Sequence, residues 1–249
     1  MKIQLVRSAT LKMDYAGQRF LMDPYLAARH TRPTYAGKSL NPLVELPCSP
    51  QEVLAGVEWV LLSHLHSDHF DPAAEALLPR TWPILCQPAD QAELTARGFQ
   101  NITPVENVLD WRGIKIERTP CQHGSGAVLD EMGEAAGFIF SAEGEPTVYW
   151  AGDTIWNDTL ADLVARRRPQ IIITHSCGAV WGDQVLILMD AAQTAAVCQA
   201  APSSTVIAVH MEAVDHATVT RRDLRQYATA AGIGEDRLFI PADGETLTF

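Results

Sequence analysis

The chain has 249 residues, 47% apolar and 20% charged, with 15 Pro and 16 Gly; this is the composition of a compact domain and excludes disorder, a collagen helix and a coiled coil. Nineteen Lys and Arg against 30 Asp and Glu give a net charge of −11, so the molecule as a whole repels nucleic acid and anionic membranes, although a local basic pocket could still hold one small anion. Five scattered cysteines without a CxxC pair (Cys48, Cys86, Cys121, Cys177, Cys198) argue against a disulfide framework or a thiolate zinc cage, and they fit a reducing cytoplasm. No run reaches the roughly 18 apolar residues of a membrane span, and the apolar start at Met1–Arg7 breaks too soon for an export signal. No Ser/Gly/Pro-rich linker interrupts the chain, so one domain over residues 1–249 is expected.

Taken in chain order, Ile3, Leu5, Leu11, Met13 and Tyr15 alternate as strands do, and a turn at Ala16-Gly17-Gln18 leads into Arg19–Met22, which stops at Asp23-Pro24. A small antiparallel meander follows from that pattern. Ser49-Pro50-Gln51-Glu52 is a capping box with Pro at the first helical position, which predicts a helix to about Val57 before the apolar strand Trp59–Leu62. Asp71-Pro72 repeats the helix start, and Pro88–Arg97 reads as a helix closed by Gly98. Strands at 114–116, 138–140, 148–150, 171–173, 206–209 and 238–240 alternate with helices over 158–168, 190–201 and 220–230. Antiparallel pairing early and strand-helix alternation later suggest two sheets packed face to face with helices outside.

Chemistry concentrates in Ser63-His64-Leu65-His66-Ser67-Asp68-His69, at the end of one apolar strand and ahead of the Asp71-Pro72 helix start. Three imidazoles and a carboxylate so close together are a poor packing device, because each would need its own buried partner. A divalent metal satisfies them together. A loop leaving a strand can turn His64 and His66 to one side and Asp68 and His69 to another, giving two half-sites. Imidazole and carboxylate donors without thiolate suit zinc first, with manganese or iron(II) as alternatives.

Four residues do not fill two coordination shells, and three distant residues lie just past apolar strands: His123, Asp153 and His210. Each alone also reads as an exposed histidine, a helix-capping aspartate or a core histidine. Taken together, the set resembles the metallo-β-lactamase superfamily, whose motif is HxHxDH followed by a lone His, a lone Asp and a final His. The resemblance implies an α+β fold, a four-layer αββα sandwich with a metal cleft along one edge. It also implies that His64, His66 and His123 hold one metal, that Asp68, His69 and His210 hold another, and that Asp153 bridges them. Within the superfamily, Arg7–Thr10, Phe20–Pro24 and His210–His216 look like the bacterial branch of metal-dependent hydrolases similar to L-ascorbate-6-phosphate lactonase.

The function implied is a dinuclear metal-dependent hydrolase. Two metals about 3.5–4 Å apart share a water, bring its pKa to roughly 7 and present a bridging hydroxide to an electrophilic centre. A small ester-like substrate is the first expectation, such as a lactone or a phosphorylated sugar lactone. Asp68 would also orient the hydroxide. His216 is a proton donor to the leaving group, a contact for a substrate anion or a surface histidine; His175 has a similar ambiguity, and its loop, with Ser176-Cys177-Gly178 and Trp181-Gly182-Asp183, reads as a cleft wall rather than a source of ligands. Asp23 reads as a turn aspartate ahead of a support for a ligand imidazole. His30 is given no metal role, and Arg29 and Arg32 read as a solvated turn before contacts to a substrate anion. The partner expected is a small molecule, anionic ones included; neither nucleic acid nor membrane is expected, and a homo-oligomer is compatible. Competing readings are a ribonuclease Z-like phosphodiesterase, an iron redox enzyme and a non-catalytic metal-dependent metabolite-binding module.

Overall fold

Most central strands of this chain carry apolar side chains on both faces, which obliges each sheet to be covered twice. The computed structural model, which describes all 249 residues, shows how. The first half runs β1 (Lys2–Arg7), β2 (Thr10–Tyr15), β3 (Gln18–Met22), α1 (Pro50–Leu54), β4 (Trp59–Leu61), α2 (Pro72–Leu77), β5 (Pro83–Cys86), α3 (Gln91–Ala96) and β6 (Asn101–Pro104). The second runs β7 (Val108–Trp111), β8 (Ile114–Pro120), α4 (Ala127–Met132), β9 (Ala136–Ser141), β10 (Val148–Trp150), α5 (Asp158–Arg167) and β11 (Ile171–His175). It continues with the hairpin β12 (Val180–Trp181) and β13 (Val185–Leu186), then α6 (Ala191–Ala200), β14 (Thr205–Val209), α7 (Arg221–Ala230), β15 (Leu238–Phe239) and β16 (Thr246–Thr248).

Two sheets result, ordered β16-β1-β2-β3-β4-β5-β6 and β15-β14-β11-β10-β9-β8-β7. Each has an antiparallel part followed by three parallel pairings: β3 to β4 to β5 to β6 in one, β10 to β11 to β14 to β15 in the other. The halves therefore share one topology, although no repeat of fixed period is visible in their sequences. The early sheet is less antiparallel than its sequence suggests, because α1, α2 and α3 return the chain to the same end before each new strand.

Side-chain parity sorts the layers. Phe20, Trp59 and Leu85 of the first sheet and Phe138, Phe140, Trp150 and Ile173 of the second fill the space between the sheets. Leu21, Val60 and Ile84 point the other way, against Val53 of α1, Ala74 of α2 and Leu94 of α3. On the far side Ile139, Tyr149 and Ile172 meet Leu160 and Val164 of α5, Val197 of α6 and Leu224 of α7. The architecture is the four-layer αββα sandwich.

Local signals mostly set the helix starts. The Ser49 box is formed, with both reciprocal hydrogen bonds, but α1 ends at Leu54 because Ala55 is extended and Gly56 takes a φ of 72°. The expected helix from Pro88 to Arg97 splits into a 3-10 turn over Pro88–Asp90 and α3. No helix is long and apolar enough to cross a membrane. All five cysteines are free; burial pushes the Cys86 thiol up to about 12 and Cys198 to about 11, and holds Cys121 well above its usual range.

Because β1, β3 and β4 run one way in the first sheet, and β8, β10, β11 and β14 run one way in the second, their C-terminal ends gather at one edge of each sheet. Phe20 ties the two sheets together below that edge. Its ring stacks on Trp59 at 4.0 Å and leans on Phe140 at 5.7 Å across the interface. Phe20→Ala is expected to cost about 3–5 kcal/mol, read as a lower denaturant midpoint at unchanged m-value; a loss under ~1 kcal/mol would show that the two sheets do not depend on this stack.

Candidate metal centre

Every residue of the centre sits at or just beyond a strand end. Asp23 follows β3, the segment Ser63–His69 follows β4, His123 follows β8, Asp153 follows β10, His175 ends β11 and His210 follows β14. Several of these exits are sharp. Ser8, Asp23 and His210 take φ values of 57°, 43° and 61°, a left-handed conformation that costs a non-glycine residue roughly 1–2 kcal/mol. At Gly152 φ is 68°, and a Cβ there would stand 2.6 Å from the Ala136 carbonyl oxygen. Only glycine lets β10 turn this tightly and present Asp153.

The seven residues singled out in the sequence come together. Around Asp153 Oδ2 lie His69 Nε2 at 3.1 Å, His123 Nε2 at 3.4 Å and His64 Nε2 at 3.8 Å. His210 Nε2 stands 3.1 Å from His69 Nε2 and 3.4 Å from Asp68 Oδ2, and His66 Nδ1 lies 3.4 Å from His123 Nε2. The donor atoms of His64, His66 and His123 form one compact group, and those of His69, Asp153 and His210 a second. His30 is exposed and apart from both, as are Arg29 and its neighbour Thr31.

Hydrogen bonds fix which ring nitrogen is bare. Asp23 accepts from Ser63 N at 2.8 Å, Ser63 Oγ at 2.6 Å and His69 Nδ1 at 2.6 Å. Since the Ser63 hydroxyl is spent on Asp23, its oxygen accepts from His64 Nδ1 at 2.9 Å. His123 Nδ1 donates to the Ile187 carbonyl at 2.9 Å, and His210 Nδ1 faces Ser8 Oγ at 3.3 Å. Four imidazoles thus have their Nδ1 side engaged and turn Nε2 lone pairs toward one another.

That arrangement fits a cation. His64 Nε2 is buried with no hydrogen-bond partner, and the other inner nitrogens meet only one another and carboxylate oxygens. The carboxylates ask for positive charge as well. Against the effect of burial, Asp153, Asp23 and Asp68 push His69 up to about 10, and Asp153 with Asp68 holds His210 well above the usual histidine range. Asp153, though buried, is held well below the usual carboxylate range by His69 and His123. Burial takes His123 down to about 4 and His64 well below its usual range, so both stay neutral, as ligands must be.

Two residues have roles that the sequence read differently or left undecided. Asp23 is a support for His69 and Ser63 rather than a turn aspartate. His175, left open by the sequence, is a support as well: it is fully buried, its Nε2 accepts from the Trp150 indole at 3.0 Å, and its Nδ1 donates to Asp153 Oδ1 at 2.5 Å. An indole N–H can only donate, so Trp150 fixes the His175 tautomer and His175 in turn holds one oxygen of Asp153, leaving Oδ2 to the other imidazoles. Asp23 had a sequence signal in its place before Pro24; the Trp150–His175 contact had none.

Beside the cluster lies a cavity of about 220 Å³. Its polar lining is Ser67, Glu131 and the ligand candidates His66, Asp68, His123 and Asp153, and its other walls are Tyr35, Met132, Trp181, Ile187 and His216. His216 is buried, its ring 4.9 Å from that of Tyr35 and edge-on, with Nδ1 unpartnered. Trp181 lies in the loop that the sequence marks as a cleft wall and does line the cavity, whereas Tyr35 comes from a segment without periodic pattern and carries no such signal.

Comparison with known proteins agrees with this geometry. Residues 18–211 match the family model described as a beta-lactamase superfamily domain. The chain is 36% identical to the UPF0173 protein YddR of Bacillus subtilis (strain 168) over 100% of both chains. It is 31% identical to a UPF0173 metal-dependent hydrolase of Xanthobacter autotrophicus, over 69% of this chain and 70% of that one. Among solved structures, an isothiocyanate hydrolase from Delia radicum gut bacteria superposes with a TM-score of 0.93 at 36% identity, covering 100% of this chain and 99% of that one. The chain therefore belongs to the beta-lactamase superfamily and, within it, to the UPF0173 metal-dependent hydrolases.

Proposed function

We propose that this hydrolase uses a pair of divalent cations, zinc in the first instance, to hydrolyse a small electrophile whose reacting end is uncharged and carries an apolar group. In this reading His64, His66 and His123 hold one cation, Asp68, His69 and His210 the other, and Asp153 lies between them. When bound, such a pair lowers the pKa of water to about 7 and neutralises charge on the attacked group. No serine or cysteine nucleophile is then required.

The observation that carries the reading is the lining of the cavity. Tyr35, Met132, Trp181 and Ile187 offer apolar surface, and no Lys or Arg is present to receive a phosphate. This favours an uncharged lactone or an isothiocyanate over a phosphorylated sugar lactone, and the likeness to an isothiocyanate hydrolase at 36% identity supports the second class. In a lactone water attacks the carbonyl carbon and the ring oxygen leaves with a proton; in an isothiocyanate water adds across the C=N bond, the nitrogen takes a proton, and the thiocarbamic acid formed breaks into an amine and carbonyl sulfide. Asp68, an ionised carboxylate in the cavity lining, orients the attacking water. His216, with a free ring nitrogen on the opposite wall, supplies that proton. A cavity of about 220 Å³ and a charge of −11 weigh against a tRNA substrate.

Removal of metal by a chelator is expected to abolish turnover of phenyl isothiocyanate or of simple lactones and to lower Tm, with both restored by Zn²⁺ or Mn²⁺. Metal-free protein that turns over at the same rate would end the proposal. Asp68→Ala and His66→Ala should each lower kcat/KM at least ~100-fold, measured at saturating metal; rates equal to wild type in both would remove the assigned roles. Asp23→Asn is expected to weaken metal binding by about 10–100-fold in chelator competition, whereas His30→Ala leaves it as it was. Equal affinity in Asp23→Asn would show that the Asp23–His69 contact does not tune the centre.

A further inference from the structure

The aromatic wall of the cavity over the metal centre has a second face. Tyr35 and Trp181 also line a second hollow of about 390 Å³, together with Ala36, Lys38, Val180 and Gln184. The two rings are thus a partition between an inner and an outer chamber, and both are tied down. The Tyr35 hydroxyl lies 2.5 Å from Ser67 Oγ, and Trp181 Nε1 donates to Glu131 Oε2 at 2.9 Å.

The loop that carries Tyr35 and Lys38 is held as firmly. The Asp215 carboxylate, 5% exposed, accepts from the backbone N–H groups of Tyr35 at 2.8 Å, Ala36 at 3.1 Å and Lys38 at 3.1 Å, from Asn41 Nδ2 at 2.9 Å and from the Thr34 hydroxyl. This has a second effect. The carboxylate beside the loop is spent on backbone donors, and no acidic residue lines the outer chamber, so Lys38 faces it as a cation without a competitor.

We infer that the outer chamber is a second substrate subsite: the electrophilic head lies over the metal centre, a slender apolar segment passes between Tyr35 and Trp181, and an anionic terminus, of the carboxylate class, is received by Lys38 and Gln184. This rests on the catalytic reading above and adds the shape and charge of the rest of the molecule. The inner chamber has no Lys or Arg to hold a carboxylate tail and the outer one has Lys38, so the substrate is an amphiphile of limited length.

The test is calorimetric binding of ω-mercaptoalkanoates and plain alkanethiols of increasing length to the zinc-loaded protein, since a thiol head anchors either series at the centre without turnover. At one tail length the carboxylate is expected to bind about tenfold tighter than its neutral counterpart, the effect of one charge-assisted hydrogen bond. Lys38→Met should bring that ratio to about one, and Trp181→Ala should erase the length optimum. A wild-type ratio of one at every length, or a ratio that survives in Lys38→Met, would overturn the subsite. If the ratio behaves as expected while neither isothiocyanates nor lactones with such tails are turned over, the subsite stands and the catalytic reading falls.

Discussion

The whole centre depends on placing three carboxylates, Asp23, Asp68 and Asp153, out of water among imidazoles whose lone pairs face each other. Buried charge of this density is unfavourable unless it is matched by opposite charge at short range. Hydrogen bonds alone match it poorly here: they use the outer nitrogen of each ring and leave the inner ones facing each other and the carboxylates, with His64 Nε2 unpartnered. A divalent cation resolves both deficits at once, because it accepts the lone pairs and offsets the anions. A cation bound there would couple folding to metal binding, and the edge of the sandwich is its least self-sufficient part.

The sandwich makes that edge possible. Two sheets of like topology each send several strand ends to one side, so a cluster can be assembled from residues far apart in sequence while the strands beneath remain rigid. The repeated topology gives Asp23 and Asp153 matching places, one just past β3 and the other just past β10, each where antiparallel pairing gives way to parallel. Their tasks have diverged. Asp23 orients an imidazole, and Asp153 faces the ring nitrogens directly while His175 orients it.

Much of this is legible in the sequence, and the limit is physical. The cluster from His64 to His69 announces itself because its ligands are neighbours, and His123, Asp153 and His210 can be found because apolar strands point at them. Helix starts at Ser49 and Asp71 are local chemistry and read correctly, whereas α1 stops early for want of a continuing residue after Leu54. The parallel strands β5 and β6 lack both alternation and a distinctive composition. Asp23, His175 and Tyr35 take their meaning from partners dozens of residues away, Asp23 from His69 and Tyr35 from Asp215, and no spacing rule encodes such contacts.

The state of the thiols bears on the chemistry proposed. Isothiocyanates add thiolates at their central carbon to give dithiocarbamates, and a protein that concentrates them beside reactive sulfur would inactivate itself. In this chain the sulfur atoms of Cys86, Cys121 and Cys198 are kept protonated by their apolar surroundings, well away from the range in which they turn nucleophilic. Under the proposed substrate class, the same packing that builds the sandwich also spares these three thiols.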